Sequence, residues 1–249
     1  MRKSILLKLL VYSGLAIFLL QSCKDDGSLR NAAPIADQSF VQEFDTLAAA
    51  KAQGWVFVNR SSPIGSTTWA QGPVGSAYSS KATSTGCIYS DFNASSNTNP
   101  YVGTISNFAV SPSVILQNDD KIIFYTRTAT GGAVWGDRLQ VLINPTGDGY
   151  DAGSGTNSGV FSRTLLDINP LNATNDFSNI NGFPPSIYHY DPISAFPETW
   201  TRFEAKVAGL SQPTKSRFAL RHYVPSGGPQ GIGNVVYVDS VAFVSISHK

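Results

Sequence analysis

Apolar and polar residues alternate with a period of two along much of this chain, the pattern of strands that bury one face. The clearest run is Arg202 to Val207, where Arg202, Glu204 and Lys206 interleave with Phe203, Ala205 and Val207. In Arg138 to Ile143 the positions Leu139, Val141 and Ile143 share one face, and Lys121 to Arg127 is β-branched and aromatic. Trp55 to Asn59, Phe218 to Tyr223 and Val235 to Val244 read as three further strands. Clusters of Gly, Pro, Asn and Ser between them supply turns. One short helix is predicted near the start of the domain. Asp45 stands as its N-cap, Thr46 to Gln53 holds three consecutive alanines, and Gly54 ends it in a left-handed conformation before Trp55. Without internal repeats or strand–helix alternation, the pattern predicts an all-β fold of two packed antiparallel sheets. The long segment Asn144 to Pro197 is less regular, which in a compact domain marks a functional loop or one packed over a sheet.

The N-terminus follows a different logic. Arg2, Lys3 and Lys8 precede a nearly unbroken apolar run, Leu9 to Leu20, which breaks at Gln21. The run falls short of the roughly 20 apolar residues a spanning helix needs, so residues 1–22 read as a signal peptide. Leu20-Gln21-Ser22-Cys23 resembles a bacterial lipobox, and Cys23 is the expected lipidation site. Lys24-Asp25-Asp26 resembles the acidic export signal that sends lipoproteins to the cell surface in one Gram-negative phylum; the alternative is that it only begins a polar tether. Residues 23–37 are read as that tether and residues 38–249 as the domain. The expectation is an outer-membrane lipoprotein exposed at the cell surface.

Loss of Arg2, Lys3 and Lys8 with the signal leaves 15 basic against 17 acidic residues and no basic cluster, which argues against nucleic acid as a partner. With Cys23 consumed by lipid, no disulfide forms within one mature chain, and Cys87 reads as a small buried hydrophobe.

Several stretches resemble, in order and spacing, the choice-of-anchor J domain family. They include Gly54-Trp55, Trp69 with Gln71-Gly72, Asp137 to Val141, Thr164 to Pro170, Phe196 to Trp200, Arg217 to Arg221, Gly227 to Gly231 and Tyr237 to Val241. The resemblance implies a two-sheet antiparallel jelly-roll sandwich related to cleaved-adhesin and MAM-type domains, and no defined reaction. In related jelly rolls an acidic residue near the first strand and an Asp on the last share a calcium ion, which by resemblance assigns Glu43, Asp45 and Asp239 here. Asp239 lies in phase with Tyr237, Val241 and Phe243. Alternatively, Asp45 is only a helix cap and Asp239 pairs with an Arg such as Arg221.

Motifs of catalysis are missing from the sequence. Its three Glu, at 43, 198 and 204, form no paired-carboxylate run of a glycoside hydrolase, and there is no Gly-x-Ser-x-Gly or His-Glu-x-x-His. His222 lies on a predicted strand and reads as a satisfied core or sheet-face residue. The chain is therefore expected to be a non-enzymatic binding or adhesion domain for a glycan or a surface protein, or alternatively a structural envelope module or a hydrolase of an unrecognised class. Trp69, Trp135, Tyr188 and Tyr190, in turn-rich segments, are the candidate ligand-binding aromatics. Trp55 and Trp200 are expected in the core.

Overall fold

Period-two segments become strands where the pattern predicts them, and they stack as two antiparallel sheets. The computed structural model describes residues 35–73, 77, 85–96, 103–131, 134–175 and 189–246. In chain order the strands are β1 (Phe40–Gln42), β2 (Val56–Asn59), β3 (Ala70–Gln71), β4 (Ile88–Asp91), β5 (Thr104–Val110), β6 (Val114–Leu116), β7 (Lys121–Arg127), β8 (Leu139–Ile143), β9 (Arg163–Ile168), β10 (Ala173–Thr174), β11 (His189–Tyr190), β12 (Thr201–Lys206), β13 (Thr214–Ser216), β14 (Phe218–Pro225) and β15 (Val235–Val244), with helix α1 (Leu47–Ala52). One sheet has the order β12-β7-β15-β4-β3 with β1 also on β15, and the other runs β2-β5-β14-β8-β9. Pairs β6–β13 (antiparallel) and β10–β11 (parallel) complete the fold, an all-β jelly-roll sandwich.

Between the sheets lies an apolar layer in which each fully buried large side chain contributes roughly 1.5–3 kcal/mol. Phe218 is its hub: its ring lies 5.8 Å from Trp55, 6.2 Å from Phe243 and 6.4 Å from Phe40, which pins β1 to both sheets. Cys87 is fully buried. The domain begins to be held at Gln38, whose side-chain oxygen accepts the Ile115 N–H at 2.9 Å.

Three expectations are corrected. Thr46, not Asp45, caps α1: its extended backbone (φ −143°, ψ 142°) lets its hydroxyl accept the Ala49 N–H. Strand β8 is buried along its whole length instead of on one face, because residues 144–162 fold over the outer side of its sheet. There Ala152 and Phe161 pack on Phe108, Val110, Leu142 and Ala219. The tight turns of that loop require glycine: Gly153 and Gly159 have φ of +64° and +60°, and a Cβ at Gly159 would meet the Asp151 carbonyl at 2.1 Å. Finally, β15 carries a bulge between Asp239 and Ala242, with Ser240 at φ +52°. The bulge reverses the phase of the strand, so Asp239 shares the outer face with Tyr237 while Val241 and Phe243 belong to the core.

A polar clasp crosses this apolar layer. His222 on β14 faces Ser90 on β4 of the opposite sheet, Nδ1 to Oγ 2.9 Å, and its Nε2 lies 3.1 Å from Asp137 Oδ1. Asn107, beside His222 on β5, donates to the same Ser90 hydroxyl at 2.8 Å. Asp137 also accepts from the Asn234 and Val235 amides and from the Thr128 hydroxyl. All four side chains are 0% exposed, so each unsatisfied group would carry its full desolvation cost.

Asp137→Ala strands His222, Thr128 and two amides at once and is expected to lower the free energy of urea unfolding by about 3–5 kcal/mol. Ser90→Ala strands less and is expected to cost about 1–3 kcal/mol. Equal effects of the two variants would contradict the central place of Asp137.

Candidate functional site

Two asparagines in left-handed conformation shape the turn between β9 and β10. Asn169 (φ +59°) and Asn172 (φ +53°) adopt a backbone that Asn tolerates better than most residues. Their side chains peg the turn down: Asn169 Nδ2 donates to the Asp137 carbonyl (2.7 Å) and the Ala173 carbonyl (3.0 Å), and Asn172 Nδ2 to the Gly136 carbonyl (2.6 Å). Gly136 is required there, since a Cβ would come within 2.7 Å of the Asn172 carbonyl. Opposite stands a second turn, in which Asp191 Oδ1 accepts the N–H groups of Ile193 (2.9 Å) and Ser194 (3.1 Å).

Between the two turns lies a cleft of about 270 Å³ lined by Asn169, Pro170, Leu171, Ala173, Asp191 and Ser194. Around it the chain leaves apolar surface in water: Leu171 is 65% exposed, Ile193 93% and Tyr190 46%. Leu171 lines the cleft itself, and Tyr190 and Ile193 flank its lining residues Asp191 and Ser194 in the chain; exposed apolar side chains of this size mark interaction surfaces where they cluster. Fixed polar groups in the walls and apolar groups on the rim are the elements of a site that stacks and orients a ligand.

The structure places Tyr190 and the segment that carries Trp135 beside the same short strand, β10. Tyr190 pairs with Thr174 across β11 and β10. Trp135 is half-buried in the adjoining segment, where the Val134 carbonyl accepts from the Thr174 hydroxyl and the Asn175 amide. Trp69 goes elsewhere: it is 2% exposed within the core, so its ring offers no face to a ligand. It lies just before β3, and burial there follows from packing, which a turn-rich local sequence conceals. Tyr188, Cys23, Lys24 to Asp26 and the signal segment lie outside the described residues.

The carboxylates assigned by resemblance to calcium do not form a cluster of three. Among the described residues no group of three or more His, Cys, Asp or Glu side chains is placed to hold a metal ion. Asp45 is exposed and accepts the Thr85 N–H at 2.8 Å and hydroxyl at 3.3 Å. Asp239 is buried, and its Oδ1 accepts the following Ser240 N–H at 2.7 Å. Glu43 is half-buried directly after β1. Arg221 is not the partner of Asp239. It lies on the other sheet, donating to Ser106, Gln140 and the Gly155 carbonyl, and burial pushes its pKa down to about 10.

Ser90, His222 and Asp137 contain the residue types of a nucleophile, a base and an acid, but their geometry serves the fold. With no exposed atom in any of the three, a substrate has no path to the Ser90 oxygen, which already accepts from Asn107. Sequence reading missed Leu171, Ile193, Asp191 and the two Asn pegs. The Asn-Pro-Leu-Asn spelling signals the turn, whereas the exposure of the apolar side chains depends on what the fold places beside them.

No family model matches the sequence, and no curated protein matches it significantly. The structure is similar to the K1 cleaved adhesin domain of Lys-gingipain from Porphyromonas gingivalis W83, at 16% identity and a TM-score of 0.50, over 84% of this chain and 99% of that one. The K3 cleaved adhesin domain of the same protein is similar at 15% identity and a TM-score of 0.48, over 84% and 100%. The CBM22-1 xylan-binding domain of Paenibacillus barcinonensis Xyn10C reaches 10% identity and a TM-score of 0.40, over 88% and 99%. At these identities the likeness concerns the fold alone, an antiparallel jelly-roll sandwich.

Proposed function

We propose that this chain is a non-enzymatic binding or adhesion lipoprotein, held in the outer membrane by Cys23 and displaying its sandwich at the cell surface. The observation that carries the binding reading is the cleft between the two pegged turns, with Tyr190 beside fixed polar groups. A sugar ring stacks on the Tyr190 face, while Asp191 and Ser194 supply oxygen atoms toward its hydroxyls. The walls are preformed: Asn169 and Asn172 hold one side through buried hydrogen bonds and Asp191 braces the other, so a ligand orders little on binding.

A second reading, contact with an envelope protein, is favoured by the exposure of Ile193 and Leu171. Bare aliphatic side chains serve protein contacts better than they serve hydroxyl-rich ligands.

On a glycan array, the purified full-length chain in detergent is expected to retain specific glycans, and Tyr190→Ala to weaken them at least tenfold with an unchanged melting temperature. An empty array, or retention equal to wild type, removes the glycan version. Under the protein reading, Ile193→Ser with Leu171→Ser abolishes cross-linking to one envelope protein. For the anchor, metabolic labelling with an alkyne fatty acid is expected to mark the chain and to leave Cys23→Ala unmarked. Proteinase added to intact cells is expected to degrade the domain.

A further inference from the structure

Beyond the cleft, the outer face of the six-stranded sheet carries a row of flat side chains around one cation. Tyr89, Tyr237 and Arg127 are successive partners across β4, β15 and β7. Trp200 directly precedes Thr201, which pairs with Thr126, so it takes the next place in the row. The Arg127 guanidinium carbon lies 5.2 Å from the centroid of the Trp200 ring and 4.7 Å from that of Tyr237, and the Tyr237 and Tyr89 rings are 6.0 Å apart. These spacings follow from the distance between neighbouring strands. All four residues are half-buried, which corrects the expectation that Trp200 belongs to the core.

The Arg127 guanidinium is sparsely bonded among the described residues. Its Nη1 donates to the Thr128 carbonyl at 3.1 Å, and its Nε is buried with no partner. No ion pair reaches it among the described residues, whereas Lys121 and Arg202 on the same face both meet Glu204, at 2.8 and 2.9 Å. A planar guanidinium with donors to spare, flanked by aromatic rings, is suited to a carboxylate presented by a flat ligand. The rings add stacking faces on either side. Burial also raises the Tyr237 hydroxyl above its ordinary value, which keeps it a hydrogen-bond donor.

We propose that this row is a binding site for acidic glycans, in which a uronic acid carboxylate pairs with Arg127 while neighbouring sugar rings lie on Trp200, Tyr237 and Tyr89. A chain of rings matches a row of rings. An acidic peptide would satisfy Arg127 but would leave the flanking aromatics largely unused. The site shares no residue with the cleft and does not rest on the reading given above.

The probe is a set of oligogalacturonates and the same oligosaccharides after carboxyl reduction, titrated calorimetrically into the full-length chain in detergent. The acidic set is expected to bind, and carboxyl reduction to weaken binding at least tenfold. Arg127→Lys, which keeps the charge but loses the planar fork, is expected to weaken it at least tenfold with an unchanged melting temperature, as is Trp200→Leu. Tyr190→Ala is expected to leave it intact, which separates this site from the cleft. Absence of binding, equal binding of acidic and reduced sugars, full binding by Arg127→Lys, or binding of polyglutamate in place of the sugars overturns the proposal.

Discussion

The sandwich depends on a polar contact set inside an apolar core, where His222 reaches Ser90 on the facing sheet and Asp137 in the segment before β8. Hydrophobic burial drives the sheets together but leaves their relative placement loosely specified, because apolar contacts are non-directional. A fully satisfied polar network has one good geometry, and in a low-dielectric interior departures from it are costly. Asp137 therefore fixes several elements together: the start of β15 through the Asn234 and Val235 amides, the end of β7 through Thr128, and β14 through His222.

The same segment carries the clasp outward to the cleft. The carbonyls of Gly136 and Asp137 are the acceptors for Asn172 and Asn169, so the side chain of Asp137 is tied to the core and its backbone to the turn that lines the cleft. A rigid wall results without regular secondary structure. The opposite sheet face is organised by other means: the bulge at Ser240 separates the outward Tyr237 and Asp239 from the inward Val241 and Phe243. Without that change of phase, one continuous alternation along β15 would send one end of the strand's inward set into solvent.

Strand-rich organisation was legible wherever burial is one-sided. Lys121–Arg127 runs as the pattern predicts, Val235–Val244 has the predicted bounds but changes phase at its bulge, and the Arg202 to Val207 alternation becomes β12 with Ala205 in the core. The site was legible only in part. Tyr190 was visible as an aromatic in a turn-rich segment, and Trp135 joins it at β10, but Trp69 was misplaced because nothing local distinguishes an aromatic that packs inward from one that faces water. Trp200 was misplaced in the opposite sense, since its half-exposed position comes from its place in the row beside Arg127. The Asp45 cap failed by one residue, as helix boundaries often do, because Thr46 offers a competing hydroxyl.

By itself the sequence determined the fold class, the short helix before β2, the burial of Cys87 and the strand character of His222, because period-two alternation, alanine content and turn residues act locally. Tertiary structure alone decided that His222 joins two sheets, that residues 144–162 cover the outer side of β8, and that Leu171, Ile193 and Tyr190 remain in water around one cleft. Those outcomes rest on contacts between residues far apart in the chain, such as Ser90 with His222 and Asp137 with Asn169, and a local pattern holds no information about which distant side chain will stand opposite.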